Sequence, residues 1–182
     1  ARVAQVVLMT AHEPDDRDDS PWKRAEAALR ATGLPGAILR PGWFMQNFHT
    51  YWGEGIRGRG AIALPAGNAR VSFIDTRDIA DVATTLLCAP PGPCDILTLT
   101  GPAALSHAEV AAQIASATGR DVRYENVAPA AFRETLVASG MPGDFADFVT
   151  GLFVTVRAGH VADVTDTVRK VLGRPARSFA DY

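Results

Sequence analysis

Residues 33–48 read Gly33-Leu34-Pro35-Gly36-Ala37-Ile38-Leu39-Arg40-Pro41-Gly42-Trp43-Phe44-Met45-Gln46-Asn47-Phe48. Ala37-Ile38-Leu39 is a short apolar run between turn formers, which predicts a strand closed by Arg40-Pro41-Gly42. Gly33 stops a helix just before it. That helix starts at Ser20-Pro21, where a serine can accept from first-turn amides and proline suits the first helical position; Trp22, Ala25 and Leu29 share one of its faces. Further upstream, residues 3–9 (VAQVVLM) form a β-branched run that suits a strand buried on both faces. Strand, helix and strand at this spacing predict a βαβ unit with parallel strands and a right-handed crossover. Trp43, Phe44 and Phe48 then follow the carboxyl end of the second strand. Ligands bind at that edge of open α/β sheets; packing of the same rings onto the core is the alternative, and the residues alone do not choose.

Downstream, residues 43–68 read as irregular, glycine-rich and aromatic, and residues 71–74 as a short strand. Asp75 or Thr76 can cap a helix carrying Ile79, Val82, Ala83, Leu86 and Leu87 as one stripe. Residues 95–100 (DILTLT) predict another strand. Ser106 and Glu109 form a capping box opening a helix that stops at Gly119. Residues 122–124 suit a short strand with Val122 and Tyr124 inward and Arg123 outward. From Pro129 the pattern is helical. One helix carries Phe132 and Leu136, and a longer one after Pro142 places Phe145, Phe148, Val149, Leu152, Phe153 and Val156 on a single face. A last short helix runs from Asp166 to Gly173 through Val168, Val171 and Leu172.

With 47% hydrophobic and 21% charged residues, the 182-residue chain falls among globular proteins. A net charge of -2 with interspersed signs offers no surface for nucleic acid or anionic membrane. No apolar run reaches the roughly 18–20 residues a membrane span needs, no signal peptide is recognisable, and a cytoplasmic location is expected. Cys88 and Cys94 flank a Pro/Gly loop and read as reduced thiols rather than a disulfide. His12, His49, His107 and His160 are far apart, without H-E-x-x-H or C-x-x-C, so no metal site is expected. No G-x-S-x-G elbow is present. Residues 53–58 match G-x-G-x-x-G, but without the strand before and helix after that a phosphate cradle requires; they read as a flexible surface loop.

Several runs resemble, in unbroken order, the NmrA-like, atypical short-chain dehydrogenase/reductase family, including its quinone reductase-like and triphenylmethane reductase-like members. Residues 25–48 are similar to the segment at the end of the crossover helix and beyond it. Residues 71–80 (VSFIDTRDIA), 97–111 (LTLTGPAALSHAEVA) and the tail 172–180 are similar to later elements. The resemblance implies an α/β fold: a remnant of a Rossmann-type parallel three-layer sheet, plus a smaller, mostly helical C-terminal substrate lobe. Residues 1–100 would belong to the sheet domain, with an irregular pocket loop at 43–70, and 101–182 to the lobe. The glycine-rich loop and first half of the sheet would lie outside these residues. The implied cofactor is NADP or NAD, held at Thr10, Ala11, Pro41, Gly42, Trp43 and Phe44, with His12, Trp22, Met45, Asn47 and Phe48 toward the substrate.

No catalytic residue is assigned. The short-chain dehydrogenase motif Y-x-x-x-K fails, because the residue four before Lys23 is Asp19. Members keeping only the lysine place it where this chain has Trp22, and one position is about 100° on a helix; Lys23 reads as a solvated lysine. His12 reads as a proton donor on the pocket-side loop or as a surface histidine. The implied activity is NAD(P)H-dependent reduction of a small aromatic or quinone-like substrate. The rivals are a non-catalytic NAD(P)-binding redox sensor and a cofactor-free isomerase or cyclase. Expected partners are the small-molecule substrate and a second polypeptide supplying the absent sheet, with a homo-oligomer as a further expectation.

Overall fold

The computed structural model describes residues 3–13 and 20–182; the rest of the acidic loop expected over 12–19 lies outside them. In chain order the elements are β1 (Val6–Met9), α1 (Pro21–Ala31), β2 (Gly36–Pro41), α2 (Gly53–Arg59), β3 (Ala61–Leu64), β4 (Arg70–Val71) and α3 (Thr76–Cys88). Then come β5 (Asp95–Leu99), β6 (Leu105–Ser106), α4 (His107–Thr118), β7 (Arg123–Asn126), α5 (Pro129–Ala138), α6 (Gly143–Arg157) and α7 (Thr167–Leu172). The helix starts have local causes. Ser20 accepts from the Lys23 amide at 3.1 Å, and Asp75 from the Arg77 amide at 2.8 Å. At α4 the capping box is reciprocal: Ser106 Oγ accepts from the Glu109 amide at 3.2 Å, and Glu109 Oε2 from the Ser106 amide at 2.7 Å.

The chain forms two compact units. The first holds the described residues up to Met45, Ser72–Ala103 and Asp163–Tyr182. Its parallel sheet has the order β1-β2-β5, with Leu8 beside Ile38 and Ile38 beside Ile96, as the βαβ reading predicts. Helix α3 packs on β1 and β2, and α7 on α3 and β5. They close a core of Leu39, Ile74, Ile79, Val82, Leu99 and Val168. The boundary differs from the expected 100/101, because residues 163–182 fold with the sheet. Val168 is buried in its core, and Arg174 and Arg177 both reach the fully buried Asp78 on α3.

The second unit comprises Gln46–Val71 and Ala104–Ala162. Here β3 pairs with β7 in parallel and β4 with β6 antiparallel. Helices α4 and α5 pack on β3, around Ile62, Leu64, Val110, Val122 and Phe132. Residues 53–58 correct the sequence reading: they are helical, within α2. Gly60 ends that helix at φ +62°, where a Cβ would also meet the Asp121 carbonyl at 2.4 Å. Strand β3 had no period-2 signal, being buried at Ala61, Ile62 and Leu64. The single face expected on α6 splits in two. Ala146, Phe153 and Val156 are buried, and Phe153 meets Phe132 of α5 edge-on at 5.3 Å. Phe145 and Phe148 lie about 100° away on the helix, out in solvent and stacked on each other at 5.9 Å.

Candidate functional site

The carboxyl edge of the three-stranded sheet is built by backbone pairing that continues past the strands. Thr10 donates its amide to Leu39 O at 2.9 Å and His12 to Pro41 O at 2.9 Å, so residues 10–12 run beside residues 39–41. Gly42 donates to Leu99 O at 2.9 Å. Trp43 O accepts from Ile74 at 2.8 Å and Met45 donates to Ile74 O at 2.9 Å, which bridges residues 43–45 to the segment before α3. At Gly101 the fit demands glycine, since a Cβ there would lie 1.9 Å from Phe73 O. The "LTG" run is therefore a packing requirement where β5 leaves the sheet.

A buried charge stands beside this edge. Glu26 is the buried residue of α1. Its Oε1 accepts from Thr10 Oγ1 and Arg40 Nε, both at 2.8 Å, and its Oε2 accepts from Arg40 Nη2 at 2.5 Å. The Arg40 fork holds the Glu26 carboxyl below the usual carboxylate range, against the opposing pull of burial, with Thr10 assisting. The arrangement clips α1 to the ends of β1 and β2. It also engages the Thr10 hydroxyl as a donor, which gives that residue a part in positioning the strand end.

The other expected site residues divide. Ala11 and His12 lie half-buried on the edge, as do Gly42, Trp43 and Phe44 beyond the buried Pro41. His12 Nε2 is buried and meets no hydrogen-bond partner among the described residues. Met45 is 1% exposed and forms part of the core beneath Gly101, so it lines no open surface. Phe48 is likewise buried, in the second unit, edge-on to Trp52 at 4.8 Å and tilted against His107 at 6.1 Å. For Phe48 packing is the observed role. Asn47, second residue of the second unit, is half-buried, and Trp22 sits on the exposed side of α1.

Sequence reasoning missed two polar groups. The Glu26–Arg40 pair carries no signal, because a glutamate in a helix and an arginine ending a strand are ordinarily solvated. His107, first residue of α4, is fully buried. It stacks on Tyr124 at 5.6 Å and meets Trp52 edge-on at 6.1 Å. Burial pushes its imidazole down to about 4, so it is neutral across the physiological range. The apolar residues around Ser106-His107 were the available clue.

On the sheet face beside β1 an apolar hollow of about 370 Å³ lies between Val7, Met9, Leu39, Phe44, Ile79 and Ala83. Among the described residues β1 has one partner strand, β2. A dinucleotide pyrophosphate requires a glycine-rich turn between a strand and a helix N-terminus. Residues 53–58, inside α2, provide none, and the described residues hold no other match. The edge at residues 11–12 and 41–44 does fit the nicotinamide end: half-buried aromatic faces, a glycine allowing close approach, and a buried imidazole nitrogen with no hydrogen-bond partner among the described residues. No group of three or more His, Cys, Asp or Glu suited to a metal occurs among the described residues. Cys88 and Cys94 are free thiols. No described helix is long and apolar enough to cross a membrane.

Comparison with known proteins agrees with this architecture. The NAD(P)H azoreductase of Xenophilus azovorans is 40% identical over 154 residues, covering 85% of this chain and 54% of that protein. The crystal structure of an NADPH-dependent quinone oxidoreductase from Escherichia coli superposes with a TM-score of 0.84 at 23% identity, over 98% of this chain and 66% of that one. The Citrobacter sp. triphenylmethane reductase complexed with NADP(H) gives 0.75 at 21% identity, over 93% and 61%. The chain thus spans between about half and two thirds of the length of these relatives. The model of the NmrA-like family matches residues 23–167, and the chain belongs to that family.

Proposed function

We propose that this chain forms the substrate-facing part of an NAD(P)H-dependent oxidoreductase acting on a small aromatic or quinone-like molecule. The observation that carries the reading is the paired edge at residues 10–12 and 41–44, in a chain 40% identical to an azoreductase. When bound, the dinucleotide supplies a hydride. Ala11, Pro41, Gly42, Trp43 and Phe44 would hold its nicotinamide end, and His12 would face the substrate. The protein's work here is orientation and exclusion of water, with Glu26 and Arg40 fixing the strand ends that carry these residues. The pyrophosphate grip would come from further strands beside β1, on the same or a second polypeptide. The apolar hollow and the one partner that β1 has among the described residues support that placement, as does the share of the relatives' length outside this chain. The residues 104–162 of the second unit would form most of a substrate lobe.

The test is titration with NADPH and NADH of the protein purified in the form its host makes, followed by menadione or the azo dye methyl red. Intact mass shows whether a second polypeptide accompanies the chain. One dinucleotide should bind in the micromolar range and be oxidised once an acceptor is added. Failure of both to bind would refute the reading. Binding with no transfer to any acceptor would favour the redox sensor instead, and turnover without dinucleotide the isomerase or cyclase.

A further inference from the structure

We propose that His12 is the proton donor at this edge to acceptors whose reducible group, a quinone carbonyl or an azo bond, carries no charge. The inference rests on the oxidoreductase reading and adds the group that completes its chemistry. Reduction of a quinone to a hydroquinone takes one hydride and one proton. Reduction of an azo bond places a hydride on one nitrogen and a proton on the other. A triarylmethyl cation differs, because the hydride adds to its central carbon, cancels the positive charge and leaves a neutral product with no proton taken up. A protein reducing neutral acceptors therefore gains from a proton at the receiving heteroatom, and one reducing the cation does not.

Along the described edge the other polar side chains are committed. The Thr10 hydroxyl donates to Glu26, the Glu26 carboxylate is filled by Thr10 and the Arg40 fork, and Glu13 accepts from Ser20. His12 is placed differently. Its backbone is fixed by the 2.9 Å bond to Pro41 O, one residue before the Gly42-Trp43-Phe44 turn, and its Nε2 is buried without a partner among the described residues. A buried polar atom left unmet carries a desolvation penalty, and at a ligand-binding edge an acceptor on the substrate removes it. In the reactive form the imidazolium gives its Nε2 proton to the oxygen or nitrogen that receives it, returns to neutral imidazole, and is re-protonated from water.

The variants H12N and H12Q test this in the protein purified in the form its host makes, assayed with NADPH against methyl red, menadione and the cationic dye crystal violet. The expected result is a fall of about 30-fold or more in kcat for methyl red and menadione, with KM within threefold. The ratio of azo to cation turnover should drop at least tenfold, and the solvent deuterium isotope effect on the azo reaction should change with it. An equal loss for neutral and cationic acceptors would overturn the proposal, assigning His12 to binding or folding, and so would no loss for either. If the unaltered protein reduces none of the three, the oxidoreductase reading fails together with it, a result distinct from an altered ratio. An independent readout needs no dinucleotide. In 15N-histidine-labelled protein, 2-naphthol, a phenol that accepts a hydrogen bond but is not reduced, should shift the His12 Nε2 resonance. An unmoved resonance would overturn the assignment.

Discussion

Acidification should destabilise the second unit through one residue. His107 is fully buried among Phe48, Trp52 and Tyr124, and burial takes its imidazole from 6.5 to about 4. The folded state thus resists protonation that the unfolded state accepts. The associated stability is complete above about pH 6.5 and is lost as the pH falls toward 4, at about 1.4 kcal/mol per unit and about 3 kcal/mol in all. Three kcal/mol is a large share of a domain's typical 5–15 kcal/mol. His107→Phe keeps an aromatic ring in the cage and removes the titration. Urea unfolding of both proteins at pH 7, 6, 5 and 4.5, followed by tryptophan fluorescence with Trp52 as the nearby reporter, measures the difference. The variant's stability relative to the unaltered protein should rise by about 2 kcal/mol between pH 6.5 and 5. Carboxylates whose values are lowered, such as Glu26, lose their contribution at lower pH and do so equally in both proteins, so they cancel. Parallel stability curves for the two proteins would show that His107 is protonated without cost and refute the burial argument.

Three further outcomes follow from packing. Glu26→Gln removes one member of a buried, bidentate pair and should cost about 3 kcal/mol in chemical denaturation; a loss under about 1 kcal/mol would mean that solvent reaches Arg40 freely. Gly101→Ala puts a methyl group 1.9 Å from the Phe73 carbonyl and should lower stability by roughly 2 kcal/mol or more, with little change expected at the open Gly92, where a Cβ meets nothing within 4 Å. On α6, Phe153→Ala should cost roughly 4 kcal/mol and Phe148→Ala less than about 1 kcal/mol; equal losses would put both rings in the core.

How much was legible in the sequence depended on whether a feature is local. The βαβ unit, the Ser20 and Asp75 caps and the Ser106–Glu109 box were legible because a few neighbouring residues decide them. Strand β3 was not, because its four residues are made a strand by β7, far along the chain. The helical state of 53–58 escaped for the related reason that glycine propensity was weighed without the packing that Gly55 makes close to Ala61 O. At the site, Ala11, His12 and Gly42–Phe44 were placed by strand ends. Met45 and Phe48 were not, since an aromatic or sulfur side chain just past a strand looks the same whether it lines a pocket or fills a core. Glu26 and Arg40 show the limit most plainly. Sequence does not say that two solvating charges will find each other inside.

The division into units has a consequence for how the molecule comes together. The backbone passes between the units four times, and Ala37 of β2 finds Asp95 of β5 only after the whole of residues 46–71 has been made. That pairing closes a long loop whose entropy is spent before any contact between the strands repays it. Refolding of the sheet should therefore be limited by the search of β5 for β2, with local helices such as α3 formed well before. Single cuts placed at 71/72, 103/104 or 162/163 would each sever a covalent crossing while leaving the strands and helices on either side whole. The effect of such a nick on the slow phase would separate the time spent building each unit from the time spent bringing its separated segments together.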